Sequence, residues 1–206
     1  MPEPWEISRG DAGRYDDQCE QMEWHGHEAL FGMMFEYLRP GQSVLDTGTG
    51  TGLMAALFHK AGLAVYGVDG SVEMLKVCAR KGVAKELKVC DLSRPDWPYE
   101  REAFDHVTSC GLFHFIEDLN GPFAEVHRVL KAGGTFGFTA KGVIGGKTAH
   151  VDSGSGTRIY CHGEDVVAGL MARQGFELLK KTTYWTYNDP DRNEPSFFVL
   201  YVARKR

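Results

Sequence analysis

Val44-Leu45-Asp46-Thr47-Gly48-Thr49-Gly50-Thr51-Gly52-Leu53 decides how this chain is read. Two apolar residues lead into an aspartate, three glycines follow at alternate positions, and a helix-forming run from Leu53 to Lys60 comes next. The pattern predicts a buried strand over Ser43 to Asp46, a turn tight enough to need glycine, and a helix ended by Gly62. The amino terminus of such a helix offers free N–H groups and partial positive charge to the anionic end of a ligand. A glycine loop alone specifies no particular ligand.

Working outward, strand and helix alternate. Leu63 to Asp69 reads as a second strand, followed by a helix with Val72, Leu75, Cys78 and Ala79 on one face and Gly82 at its end. Glu86 to Asp91 is a third strand and Phe104 to Cys110 a fourth. The next helix opens at Gly121-Pro122, and Lys131 to Gly134 turn it into a fifth strand, Thr135 to Ala140. Upstream, Leu30, Phe31, Met34, Phe35 and Leu38 share one face of a helix from His27 to Leu38, stopped by Pro40-Gly41. After residue 162 a helix over Glu164 to Gln174 precedes two strands, Phe176 to Tyr187 and Phe197 to Arg204, paired antiparallel across Asn188 to Asp191. The expected fold is α/β: a Rossmann-like, seven-stranded, mostly parallel sheet in the order 3-2-1-4-5-7-6, the last strand antiparallel, with helices on both faces.

Two segments do not fit the rhythm. Residues 1–26 hold a polar stretch without sustained period and are expected to be an arm or cover, and the Gly/Ser/Thr-rich residues 141–162 a lid loop. One domain over residues 1–206 is expected, since 206 residues with 43% hydrophobic and 25% charged side chains suit one core. Glycine, at 25 copies, is the compositional excess.

Net charge is −5, and the only basic cluster is Ala203-Arg204-Lys205-Arg206, which argues weakly against a nucleic-acid partner. No apolar run reaches the roughly 20 residues of a membrane span, and the first residues lack a signal-like pattern, so a cytoplasmic location without membrane association is expected. Five cysteines without a Cys-x-x-Cys spacing read as reduced thiols. His25 and His27 lack the neighbours of a metal site, and no metal is expected.

Asp46, Asp69 and Asp91 each end an expected strand, 23 and 22 residues apart. In a parallel sheet they line the carboxyl edge, where ligands of open α/β sheets bind. Asp69, 21 residues after Gly48, suits a ribose, each charge-assisted hydrogen bond being worth about 1.5–3 kcal/mol. Two nucleoside ligands fit. NAD prefers Gly-x-Gly-x-x-Gly around its pyrophosphate, whereas here the glycines alternate behind an aspartate that would repel a pyrophosphate and attract the amine of S-adenosylmethionine.

Val44 to Leu53, Val65 to Leu75, Cys90-Asp91-Leu92, Phe104 to Val107 and Arg128 to Gly134 resemble, in order, the motifs of class I S-adenosylmethionine-dependent methyltransferases, over residues 40 to 140. The Asp-Gly-Ser-x-Glu-Met-Leu segment is also similar to the Williams–Beuren-region methyltransferase-like group. The resemblance implies that Asp46, Thr47, Gly48 and Gly50 hold the methionine portion, with Cys110 and Gly111 beside it. It further implies that Asp69 takes the ribose, that Gly70 and Met74 border the adenine, and that Asp91 and Leu92 contact its edge. Gly70 departs from the bulkier apolar residue of many members, which leaves the stacking contact to Leu92 or Met74. Tyr15-Asp16 resembles a cover segment through which Tyr15 reaches the cofactor.

In-line methyl transfer needs a general base only when the nucleophile carries a tightly held proton. His114, Tyr160 and His162 are the candidates; ring packing is the plainer structural explanation of His114, and helix capping that of His162. The expected function is methyl transfer from S-adenosyl-L-methionine, leaving S-adenosyl-L-homocysteine, to a small-molecule acceptor. An NAD-dependent oxidoreductase, a non-catalytic binder, and a nucleic-acid or protein acceptor are the alternatives. The acceptor, the attacking atom and the oligomeric state are not specified by the sequence.

Overall fold

The computed structural model describes residues 12–143, 149–152, 158–186 and 196–206. Seven strands form one sheet: β1 (Ser43–Thr47), β2 (Ala64–Asp69), β3 (Glu86–Val89), β4 (Phe104–Ser109), β5 (Leu130–Lys141), β8 (Phe176–Thr186) and β9 (Ser196–Lys205). Their order is β3-β2-β1-β4-β5-β9-β8, which is the expected 3-2-1-4-5-7-6. The first five are parallel, and β9 runs antiparallel to both β5 and β8.

Alternate residues of the inner strands feed two apolar cores. Leu45, Val107, Phe136, Phe138 and Tyr201 face α5 (Asn120–Val129) and α6 (Glu164–Arg173) through Phe123, Val126, Val167 and Leu170. Val44, Val65, Leu200 and Val202 face α2 (Gly26–Met34) and α3 (Leu53–Lys60) through Leu30, Met34 and Phe58. Period-two alternation with both sets apolar requires helices on both sides of the sheet. On the first side Phe138 stacks between Phe136 at 4.6 Å and Tyr201 at 4.8 Å. Helix α4 (Val72–Lys81) starts at Ser71, whose hydroxyl accepts the Met74 N–H at 3.3 Å, and stops at left-handed Gly82.

The structure corrects several expected boundaries. The arm contains a helix, α1 (Tyr15–Gln21), too short for its period to register in sequence and held by tertiary contacts described below. Residues 141–162 are no plain loop: β6 (Ala149–Asp152) pairs antiparallel with β7 (Arg158–Cys161), each only four residues long. Helix α2 ends at Met34 and tightens into a 3-10 turn over Phe35–Tyr37. Strand β3 ends at Val89, so Asp91 lies two residues beyond it. Strand β5 begins at Leu130, its register with β4 shifting between Phe104 and His106. The expected turn Asn188 to Asp191 lies outside the described residues. No helix among the described residues is long and apolar enough to cross a membrane.

Candidate active site

Strands β3, β2 and β1 are neighbours, so Asp91, Asp69 and Asp46 come off adjacent strands at one sheet edge. Asp69 closes β2 and reaches into the glycine loop. Its Oδ2 accepts the Gly50 N–H at 2.8 Å and its Oδ1 the Ser71 N–H at 2.8 Å. Burial nevertheless raises its pKa above the ordinary carboxylate range. Asp46 is 1% exposed, and its Oδ2 accepts the Thr49 hydroxyl at 2.8 Å. Burial, with the nearby Asp69 charge, pushes Asp46 up to about 7 against that hydrogen bond. No cation pairs with Asp46 among the described residues, so this carboxyl lacks a counter-ion.

The loop itself is pinned from below, where Gly48 and Thr49 both donate their N–H to the Val68 carbonyl, at 2.9 and 3.0 Å. Gly50 has φ +54°, and a Cβ there would meet only the Gly48 carbonyl at 3.9 Å, so its upper side is open. The turn after β4 closes on the loop, Leu112 Cβ lying 3.0 Å from where a Gly48 Cβ would stand. There Gly111 adopts φ +76° with open space beside it and donates its N–H to Thr139 Oγ1 at 2.9 Å. The adjacent Cys110 thiol is pushed up by burial and by the Asp46 charge.

Other expected residues divide. Met74 and Leu92 are buried along the Asp69 to Asp91 side, with Gly70 half-buried between Asp69 and the Ser71 cap. The Asp91 carboxylate is committed locally: Oδ1 accepts the Ser93 N–H and hydroxyl at 3.0 and 2.6 Å, and Oδ2 pairs with Arg94 at 2.9 Å. The Thr47 hydroxyl is tied into the sheet, donating to the Thr108 carbonyl at 2.9 Å, which leaves only its backbone for a ligand. Tyr15 sits close enough to Asp69 and Cys110 that, after burial and Cys19, their charges raise its hydroxyl pKa. Helix α1 therefore lies over this edge. Asp16, noted above only as part of the Tyr15-Asp16 pair and with no role of its own, holds it there, its carboxylate contacting both the Thr51 hydroxyl and the Lys81 ammonium.

The three base candidates are not equivalent. His162 is buried with Nε2 3.1 Å from the carbonyls of Phe113 and Ile116, so it braces the turn after β4 and has no free nitrogen lone pair aimed at a ligand from that atom. Tyr160 lies in β7, opposite His150, on the hairpin that packs against the same turn. His114 sits in that turn, its ring 4.0 Å from Phe115 and 5.6 Å from Phe198 between centroids. Burial, then the Lys141 and His162 charges, push it down to about 3, so it is a neutral imidazole and a weak base. No group of His, Cys, Asp and Glu able to hold a metal occurs among the described residues.

A methyltransferase-domain family model matches residues 45–138, which include the glycine loop, Asp69, Asp91 and the turn after β4. Over this stretch the chain resembles S-adenosylmethionine-dependent methyltransferases. The chain is 38% identical over 95 residues to the ubiquinone/menaquinone biosynthesis C-methyltransferase of Desulfotalea psychrophila, covering 44% of this chain and 38% of that protein. It is 30% identical over 130 residues to the malonyl-[acyl-carrier protein] O-methyltransferase of Salmonella typhimurium, covering 62% of this chain and 50% of that one. The chain thus spans half or less of the length of these relatives. The fold is also that of the Burkholderia thailandensis 1,6-didemethyltoxoflavin-N1-methyltransferase, with TM-score 0.72 at 19% identity over 100% of this chain and 91% of that one. A methyltransferase bound to the Trm112 activator of Haloferax volcanii superposes with TM-score 0.76 at 20% identity, covering 97% of this chain and 96% of that one.

Proposed function

We propose that the chain binds S-adenosylmethionine at the Asp69 edge and passes its methyl group to a small-molecule acceptor. The observation that carries this is Asp69 itself: a buried carboxylate at the end of β2, 2.8 Å from the Gly50 N–H, inside the matched domain. Each of its oxygens accepts one backbone N–H and keeps lone-pair capacity for a ribose hydroxyl. Asp46 supports the methyl donor over NAD, because a buried carboxyl held up to about 7 without a counter-ion suits an ammonium group and opposes a pyrophosphate.

On this reading Asp46, the backbone of Thr47, Gly48 and Gly50, and the turn at Cys110 and Gly111 hold the methionine half. Gly70, Met74, Asp91 and Leu92 line the adenine, Asp91 by its backbone or by exchanging Arg94 for the ligand. Bound there, the sulfonium supplies an electrophilic methyl whose C–S bond breaks with its electron pair left on sulfur as the acceptor's lone pair forms the new bond. The chain's own work is to orient the two partners and exclude water. Residues 12–25, with Tyr15 facing the cofactor, and the β6–β7 hairpin within residues 141–162 are the covers of one catalytic domain.

The small-molecule acceptor is supported by the relatives' names, which refer to quinone biosynthesis, an acyl-carrier-bound malonyl group and a didemethyltoxoflavin. Transfer of labelled methyl into metabolite, RNA and protein fractions of a cell extract tests it. Label in the metabolite fraction is expected, and label confined to RNA or protein contradicts the acceptor class. A chain that binds S-adenosylhomocysteine yet labels nothing is a non-catalytic binder, and one that binds NAD in its place contradicts the cofactor.

A further inference from the structure

The turn after β4 holds a polar atom that the protein leaves unpaired. His114 Nδ1 is buried and has no hydrogen-bond partner among the described residues. Orphaning a buried ring nitrogen costs stability, and such an atom in a native structure calls for an explanation, a bound ligand being one. The same neighbourhood supplies partners readily elsewhere: His162 has two carbonyls, and Gly111 has Thr139. His114 is three residues beyond Gly111, in the same turn after β4.

Around it runs a contiguous aromatic series. Phe115 lies 4.0 Å from the His114 ring and Phe198 5.6 Å on another side. Trp24 meets Phe198 at 4.8 Å, and Tyr184 meets Trp24 at 5.4 Å, both edge-on. Phe115, Trp24 and Tyr184 are only half-buried, so the series presents ring surface as well as filling space. Aromatic rings met edge-on or offset favour a flat conjugated partner over a flexible chain. The Lys141 ammonium donates to Ser196 Oγ at 2.8 Å and stands 5.2 Å over the Phe198 ring, on the same aromatic series.

We propose that His114 is the residue that reads the methyl acceptor, and that this acceptor is a flat conjugated molecule donating an O–H or N–H hydrogen bond to Nδ1. The inference rests on the methyl-transfer reading above and names its substrate class. With the ring proton on Nε2, Nδ1 offers one lone pair, which suits a donor and gives nothing to a carboxylate. The hydrogen of a conjugated O–H held there leaves an oxygen lone pair directed elsewhere, which forms the new C–O bond as the C–S electron pair stays on sulfur. Held neutral by burial, the ring orients that hydrogen before transfer and takes the proton only as the methylated oxygen makes it strongly acidic, passing it on to solvent on release.

The test uses the full chain with its histidines labelled at Cε1, saturated with S-adenosylhomocysteine, and two probes of one shape, 2-naphthol and 2-methoxynaphthalene. We expect 2-naphthol to shift the His114 signal and to bind roughly tenfold more tightly than the methoxy compound, a difference of one hydrogen bond. His114→Phe, which keeps a ring, should erase that preference with S-adenosylhomocysteine affinity unchanged. His114→Asn, which can place an oxygen near the Nδ1 position, should retain part of it. Equal binding of both probes to the parent, an unchanged preference in His114→Phe, or no binding of 2-naphthol by a protein that binds S-adenosylhomocysteine overturns the proposal. Failure to bind S-adenosylhomocysteine at all overturns the methyl-transfer reading instead, and this inference with it.

Discussion

The Asp16 carboxylate accepts the Thr51 hydroxyl, joining the amino-terminal helix α1 to the glycine loop across 35 residues of sequence, while its second oxygen meets Lys81 at the end of α4. At the other end of this segment the Tyr184 hydroxyl donates to the Glu23 carbonyl and accepts the His25 N–H, both at 2.9 Å. The cover is thus fastened at two points, one of them on the loop that is proposed to hold the cofactor.

Asp16→Ala should therefore act on ligand exchange more than on stability. The Asp16–Lys81 pair is partly solvated, and such pairs contribute about 0–1 kcal/mol. We expect a small change in thermal midpoint, faster amide exchange over Tyr15 to Gln21, and a several-fold faster release of S-adenosylhomocysteine measured by stopped flow. An unchanged release rate would mean that α1 is not a cover.

Asp46 makes cofactor binding depend on pH. Its folded-state pKa, about 7, lies above the ordinary 3.8, so the folded chain holds an extra proton between these values and loses stability as pH rises through them. An ammonium group beside Asp46 favours the ionised carboxylate, so binding expels that proton. Affinity for S-adenosylhomocysteine should rise by up to about tenfold per unit from pH 5 to 7 and then level off. Calorimetry at pH 6 in buffers of different ionisation enthalpy should report release approaching one proton, and Asp46→Asn should abolish it.

His106 works in the opposite sense. It is 3% exposed at the far edge of the sheet, its Nε2 donating to Gln42 Oε1 at 2.9 Å and its Nδ1 accepting the Thr135 hydroxyl at 2.7 Å. Gln42 Oε1 also accepts the Arg39 N–H at 2.7 Å, which assigns the ring proton to Nε2. Burial pushes His106 down to about 4 from 6.5, so its contribution is intact above pH 6.5 and is lost as pH falls toward 4, at about 1.4 kcal/mol per unit. Asp46 masks part of this in the parent. In an Asp46→Asn background, urea unfolding should show the full acid limb, and adding His106→Gln should flatten it. An equally steep limb in the double variant would assign the acid sensitivity to other groups, His114 first among them.

Gly67→Ala probes the layer beneath the loop. A Cβ at Gly67 would stand 2.7 Å from Leu87 Cδ2 and 2.9 Å from Thr49 Cγ2. Thr49 must then move, and it is the residue whose hydroxyl serves Asp46. We expect a loss of about 1–3 kcal/mol in unfolding free energy together with weaker S-adenosylhomocysteine binding. Stability lost with affinity intact would separate Thr49 from the site.

The sheet was legible because its strands are apolar runs closed by aspartate or glycine, a signal local in sequence. Val44-Leu45-Asp46 before the glycines could be little else, and the pair of antiparallel strands at the end showed by the lack of a helix between them. Helix α1 and the β6–β7 hairpin were not legible, since seven and four residues are too few for a period and both depend on distant contacts. The site divided along the same line. Asp46 and Asp69 announced themselves by their spacing, whereas Asp16, Thr139 and Tyr184 enter through bonds spanning 28 to 161 residues. Asp91 looked equivalent to the other two acids, but its Asx-type bonds to Ser93 and its pairing with Arg94 are those of a turn.

The account stands on the ribose contact of Asp69, and a cycle of two ligands and two proteins measures it directly. S-adenosylhomocysteine and its 2′,3′-dideoxy analogue are titrated calorimetrically into the parent and into Asp69→Ala. Because Asp69 also braces Gly50 and Ser71, the single substitution would weaken binding through the loop alone, and the analogue isolates the hydroxyls. Two charge-assisted hydrogen bonds predict that removing the hydroxyls costs the parent on the order of 100-fold in affinity and costs Asp69→Ala little. Equal losses in the two proteins, or no loss in the parent, would contradict the assignment of this edge to the nucleoside of the methyl donor.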